Sequence, residues 1–257
     1  MMAAQEAQTE AKTSGLTIEI INQAEDFTDA FESAAKCFGS QINDAVWTAM
    51  NPGWNTAEGK VAGASRLADR WKSTTETKDG NPNTVFLKAT LPEPQHADRR
   101  ILVGFAIWAQ LSVVEGYGDK PSTDLSKSVD LEALYPGNTS EQRFLSQAFA
   151  SLVKQRVDTV QSKAGADPPA TFVLDLCVVD PAFQRRGIAL KLVQWGIEEA
   201  KRRGGLEATT EASLMGRHVY AKLGFKPVAD VEYRVDEDLI KGRTLPPNLF
   251  MRTGKAV

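Results

Sequence analysis

The order of elements along this chain predicts an α/β protein: a mixed, mostly antiparallel central sheet flanked by helices. Three observations carry that expectation. The run "TFVLDLCVV", Thr171–Val179, is apolar enough to be a central strand buried on both faces. Directly after it, Gly187–Arg203 repeats apolar residues at helical spacing, with Ile188, Leu192 and Trp195 on one line and Ala189, Val193, Gly196 and Ala200 beside it. Elsewhere, short strand patterns and amphipathic helices interleave instead of segregating, as a layered α/β fold requires.

The elements follow in order. "LTIEII", Leu16–Ile21, alternates and is β-branched, so it opens the sheet. Asp26–Phe38 places Phe27, Ala30, Phe31, Ala34, Ala35 and Phe38 on one helical stripe that packs on a sheet. Asn51–Asn55 is a turn with an exposed aromatic, Trp54, and Gly59–Thr74 a second helix. Thr84–Ala89 and Ile101–Gln110 read as a hairpin joined by a polar Pro92–Arg99 loop. Residues 111–134 are polar and rich in Gly, Pro and Ser, a long loop that leads into a helix over Asn138–Gln161. After Thr171–Val179 and Gly187–Arg203, the pair Gly204-Gly205 stops the helix. Strands at Leu206–Ala212, Phe225–Tyr233 and Leu249–Arg252, with a short helix at Met215–Leu223, complete the chain. No repeat or domain boundary stands out. The expectation is a disordered 1–15 and a single domain over 16–257, with a loop-plus-helix insertion at about 111–170 near the acceptor side.

Composition narrows the function. A hydrophobic share of 42% is enough for a substantial core, and a net charge of −3 gives no basic excess for nucleic acid. Two cysteines, Cys37 and Cys177, are too few for a disulfide framework and lack metal-ligand spacing. The first residues carry neither an apolar core nor Arg, and no stretch has transmembrane length. The reading is a cytoplasmic protein without nucleic-acid or membrane partners and without a metal.

The chemistry concentrates at Val178–Ala189. A buried strand ends, Pro181 removes an amide, and a helix begins near Gly187. The first N–H groups of a helix have no intrahelical acceptor and lie at the positive end of its dipole, so they bind phosphate. Gly187 lets a ligand approach the backbone, and Ala189 leaves room one turn on. No Lys-Ser/Thr follows the glycine and no G-x-G precedes it, which excludes the Walker and dinucleotide loops.

The stretch Gln184-Arg185-Arg186-Gly187-Ile188-Ala189 resembles the acetyl-CoA signature Q/R-x-x-G-x-G/A of the Gcn5-related N-acetyltransferases (GNAT). Tyr220-Ala221-Lys222-Leu223-Gly224-Phe225, after a short helix, resembles that family's second hallmark. The likeness spans roughly Thr171 to Val228. The N-terminal part, with "MNPGWNTAEG" and "NTVFLKAT", looks like fungal members of the family.

The resemblance implies a GNAT-like sheet whose central parallel strands splay apart to admit acetyl-CoA, the co-substrate. By carry-over, Cys177, Val178 and Val179 hold the pantetheine arm through backbone bonds. Gln184, Arg185, Arg186, Gly187, Ile188, Ala189 and Leu190 surround the pyrophosphate, and Ser213 stands where an Asn is common. Tyr220 takes the position of the acid that protonates the departing thiolate, and the amide of Val179 or its neighbour stabilises the oxyanion. Asp175 has two readings: a base or water relay, placed by strand alternation on the face of Cys177 and Val179 unless a bulge intervenes, or a structural carboxylate paired with an Arg. Trp54, Glu115 and Tyr117 are candidates for the acceptor pocket. The implied activity is N-acetylation of a small-molecule amine by direct transfer in a ternary complex, by a monomer or homodimer. The alternatives are a protein lysine or N-terminal acetyltransferase, and a CoA-binding regulator without catalysis.

Overall fold

In the computed structural model, which describes residues 15–254, the chain forms a seven-stranded sheet of order β1-β2-β3-β4-β5-β7-β6. The strands are β1 (Thr17–Ile20), β2 (Thr84–Glu93), β3 (His96–Leu111), β4 (Thr171–Val179), β5 (Glu207–Ala212), β6 (Lys226–Asp230) and β7 (Leu249–Arg252). Neighbouring strands are antiparallel except β4 and β5, which run parallel. The stretch expected to be disordered, 1–15, lies outside the described residues apart from Gly15. No helix among the described residues is long and apolar enough to cross a membrane.

The helices are α1 (Asp26–Ala34), α2 (Ala45–Met50), α3 (Ala57–Lys72), α4 (Leu131–Leu134), α5 (Thr139–Ser162), α6 (Ile188–Arg202) and α7 (Arg217–Lys222). One face of the sheet is covered by α6, whose Ile188, Leu192, Val193 and Ala200 bury against Trp108, Phe172 and Leu174. The fit is close: a Cβ on Gly196 would stand 2.0 Å from the Trp108 indole. The other face carries α1 and α3, with Phe27, Phe31, Phe86, Phe105 and Val178 at its centre. A third apolar cluster joins α2 and α5 through Val46, Phe144, Leu145 and Ala148.

Three details depart from the sequence expectations. The Pro92–Arg99 loop is strand almost throughout: β2 and β3 continue to a tight turn at Pro94 and Gln95. Next to this stretch the two strands are tied by Arg100, which donates to the Thr90 hydroxyl (2.8 Å) and carbonyl (2.8 Å). The first helix does not stop at Phe38 but widens into a π-helical segment, Ala35–Ile42, closed by Asn43 in the left-handed region (φ 54°). The helix α2 had no sequence signal, being six residues long and capped by Asp44, whose carboxylate accepts from the amides of Val46 and Trp47.

Candidate active site

The parallel pairing of β4 with β5 ends early. Backbone partners run from Thr171 opposite Glu207 to Leu174 opposite Thr210, and there the pairing stops. At that last pair the Thr210 hydroxyl donates to the Leu174 carbonyl (3.0 Å). Beyond it β5 turns to β7, while β4 continues to Val179 along β3 alone. A gap therefore opens between the two central strands.

A bulge sits at the mouth of this gap. Ile107 of β3 faces Leu176 and Trp108 faces Leu174, so Asp175 is the extra residue. It breaks the alternation of β4. Cys177 and Val179 pack with the α6 cluster, Leu176 and Val178 with the α1 cluster. Asp175 takes two arginines instead, accepting from Arg70 of α3 (2.9 Å) and Arg156 of α5 (2.6 Å). Burial opposes its charge, but the two guanidiniums outweigh that and hold its carboxyl well below the usual carboxylate range.

Past the gap, β4 leaves one edge unpaired. The Asp180 amide donates to Val103 of β3 (3.0 Å), so alternation turns the N–H and C=O of Val179 and Cys177 towards the gap. Consistent with this, the Val179 carbonyl accepts from the Gln184 side chain (3.1 Å) rather than from β3. Gln184 also forms a reciprocal amide pair with Gln41 of the π segment (2.9 and 3.1 Å), and Asp180 takes Lys36 (2.9 Å). The π segment is thus tied to both ends of the turn after β4. Between them lies an open depression of about 430 Å³ lined by Lys36, Ser40, Gln41, Asp180, Pro181 and Ala182.

The loop itself is shaped for an anion. Arg185 (φ 62°) and Gly187 (φ 82°) both adopt the left-handed region, which curls the backbone into a concavity of successive N–H groups. The amides of Arg185, Arg186, Gly187, Ile188 and Ala189 find no acceptor among the described residues. They sit at the start of α6, a helix of 15 residues, whose dipole adds positive potential. Arg185 is exposed. Arg186 lies over the Phe183 ring (5.0 Å) and donates to the Ala182 carbonyl (3.3 Å), which keeps its charge beside the concavity. Leu190 lies half-buried in the first turn of α6.

Tyr220 of α7 is buried, with its ring against Phe225 (5.8 Å). Burial, and after it the neighbouring Cys177 and Cys37 thiols, push its phenol well above the usual tyrosine value, so it is protonated near neutrality. The same burial pushes Cys37 up to about 11 and Cys177 up to about 12, which leaves both as thiols. Ser213 caps the turn into α7, its hydroxyl accepting from the Gly216 amide (3.3 Å).

The loop follows the strand end at the gap, and Tyr220 packs in the same cluster as Cys177 and Val179, whereas the acceptor candidates scatter. Trp54 is half-buried over the π segment, edge-on to Trp47 (6.2 Å) and packed so closely on Gly39 that a Cβ there would lie 2.4 Å from its ring. Tyr117 and Glu115 follow Leu111, which pairs with the first residue of β4. At about 3.3 Å per residue, the length of β4 puts them roughly 25 Å from Val179. There Tyr117 receives Lys78 Nζ on its hydroxyl (2.6 Å), and Glu115 is exposed. The sequence reading missed Arg70, Arg156 and Glu211, whose positions carry no local signal of a shared site.

Residues 148–225, from the middle of α5 through the loop to Phe225, match the model of the acetyltransferase (GNAT) family. No curated protein sequence matches the chain. Among solved structures, arylalkylamine N-acetyltransferase 2 from Aedes aegypti is similar over 92% of this chain and 97% of its own, at 21% identity and a TM-score of 0.57. An agmatine N-acetyltransferase mutant is similar over 93% and 97%, at 12% identity and a TM-score of 0.52. A Corynebacterium glutamicum protein, described as histone acetyltransferase HPA2 and related acetyltransferase, covers 95% and 98% at 15% identity and a TM-score of 0.51. At these identities the likeness shows the fold, which is the GNAT fold.

Proposed function

We propose that this chain, which carries a GNAT acetyltransferase domain, transfers an acetyl group from acetyl-CoA to the amine of a small molecule, directly and within a ternary complex. The observation that carries the reading is the row of unpaired amides from Arg185 to Ala189, opening beside the free edge of β4 and a protonated Tyr220. The donor's pyrophosphate would be held by those amides with Arg186 alongside, and its pantetheine by the Cys177 and Val179 edge groups. Bound there, the thioester supplies the activated acetyl group. The N–H of Val179 points to the side on which negative charge develops. Tyr220 holds at its phenol oxygen the proton that the departing sulfur needs, and burial keeps that proton in place.

Direct transfer is favoured because both cysteines are held as thiols and neither has an adjacent base to activate it. Asp175 reads as the paired carboxylate. Accepting from two guanidiniums, it is a poor base at neutral pH, and the proton lost by the amine goes to water. A small amine is preferred over a protein acceptor because two of the three similar structures bear the names of small-amine enzymes, arylalkylamine and agmatine, against one described as a histone acetyltransferase. The net charge of −3 does not favour a basic histone tail over other acceptors.

The test is calorimetry with CoA, followed by thiol release from acetyl-CoA over a panel of arylalkylamines, polyamines and lysine peptides. Release with a small amine is expected. Release only with peptides moves the acceptor to proteins. CoA binding without release on any amine favours the regulator, and absence of CoA binding ends the reading.

A further inference from the structure

A gap between paired strands needs something to fix its width, and the backbone has stopped doing so at Leu174 and Thr210. The next residue on each strand is acidic: Asp175 on β4 and Glu211 on β5. One side chain spans them. Arg156 of α5 donates from Nη1 to Asp175 Oδ1 (2.6 Å) and from Nε to Glu211 Oε1 (3.2 Å), with Nη2 on Glu211 Oε2. All three groups are largely buried, Arg156 at 12% exposure and Glu211 at 4%. Arg70 holds the second oxygen of Asp175, and Asn248 donates to the Glu211 carbonyl (3.1 Å), so both ends of the bridge are themselves anchored.

We infer that Arg156 is a positioning residue that sets the opening between β4 and β5, a guanidinium bridge placed where the backbone ladder ends. The planar fork suits this task because it offers donors in two fixed directions, one for each carboxylate. Its rigidity keeps the free edge of β4, with the Cys177 and Val179 amides, at a constant distance from β5. The expected insertion thereby gains a role: α5 packs along β5 and delivers a cation that, alone among the described residues, joins the two diverging strands. The polar partners of Arg156 among the described residues are Asp175 and Glu211, not the loop or Tyr220, so its effect falls on the part of the ligand that enters the gap.

This inference rests on the acyl-CoA reading, and the experiment separates the two. Arg156→Met and Arg156→Lys are compared with the intact chain for binding of CoA and of adenosine 3′-phosphate 5′-diphosphate, which lacks the pantetheine arm but keeps the pyrophosphate and so engages the loop alone. The methionine variant is expected to lose about tenfold in CoA affinity, roughly 1.4 kcal/mol, with diphosphate affinity unchanged. Lysine keeps the charge but cannot fork to both strands, so it should weaken CoA by several-fold, about half as much on the free-energy scale, and again spare the diphosphate. If the methionine variant does not fold, the lysine variant decides alone. Wild-type CoA affinity in a folded variant, or equal weakening of both probes, overturns the positioning role. Failure of the intact chain to bind either probe overturns the acyl-CoA reading instead.

Discussion

Strand β5 carries two acidic residues four apart, Glu207 and Glu211, on the same face, and α5 meets both of them. Arg156 reaches Glu211, and Lys163, two helical turns further on, reaches Glu207 (2.5 Å). The two contacts resemble each other chemically but sit in different backbones. At Glu207 the strands are paired, with Thr171 opposite, and the carboxylate is further held by Arg252 of β7 and the Gly254 amide (3.1 Å). At Glu211 the strands have separated, and Arg156 joins β4 to β5 in place of the ladder. The same ion pair is therefore a reinforcement at one end and a spacer at the other. Chemistry belongs at the end where main-chain groups are left free.

That contrast breaks most decisively at the loop. Gly187→Asp places a carboxylate where the amides from Arg185 to Ala189 converge, and it forces an L residue to φ 82°. CoA affinity should fall by at least about a hundredfold, since charge repulsion replaces a row of donors. Gly187→Ala, carrying the strain without the charge, should lose much less. Calorimetry with CoA on both variants measures the difference, and near-wild-type affinity in the aspartate variant would remove the loop from the site.

Tyr220→Phe comes next. The ring and its packing on Phe225 are kept while the proton is lost. Turnover should fall by about a hundredfold, the usual worth of a positioned acid, with CoA affinity nearly unchanged. Equal turnover in the two proteins would mean that the leaving sulfur takes its proton from elsewhere.

Much of the fold was legible in the sequence, whereas this contrast was not, and what was hidden has a physical cause. The bounds of β4 follow directly from apolar content, because a strand covered on both faces can hold little else. The loop and Tyr220 were legible because their spacing is local. The start of α5 was also written locally: Asn138, where the expected helix region begins, is the cap, and it accepts from the Glu141 amide (3.2 Å). The π segment and α2 lack a long enough period to announce themselves. The face taken by Asp175 depends on one bulge against β3, a tertiary feature that alternation in β4 cannot reveal. Arg156 lies 19 residues from one partner and 55 from the other, so no window of sequence contains the bridge.

At the paired end the expectation reverses. Glu207→Gln removes a buried charge from Lys163 and Arg252, leaving two cations with a weaker acceptor. Stability should fall by about 1–3 kcal/mol in urea unfolding, while turnover and CoA affinity stay at wild-type levels. A fall in turnover comparable with that of Tyr220→Phe would show that the two ends of β5 are not separable in function.

The smallest effect is on pH dependence, and it follows from the same two carboxylates. Burial opposes the charge of Glu207, but Arg252 and Lys163 prevail and lower its carboxyl from the ordinary 4.5; Asp175 is lowered from 3.8 by Arg70 and Arg156 against the same cost. A group whose folded pKa lies below its unfolded value binds fewer protons when folded, so acid favours unfolding. The stability from both groups is complete above their ordinary values and is lost as pH falls through the lower folded ones. Urea midpoints should thus be level from about pH 6 to 8 as far as these groups are concerned, and decline below about pH 4. Glu207→Gln should flatten part of that acid slope without altering the remainder, because Asp175 still titrates at the gap. An acid slope identical in the two proteins would place no linkage at Glu207.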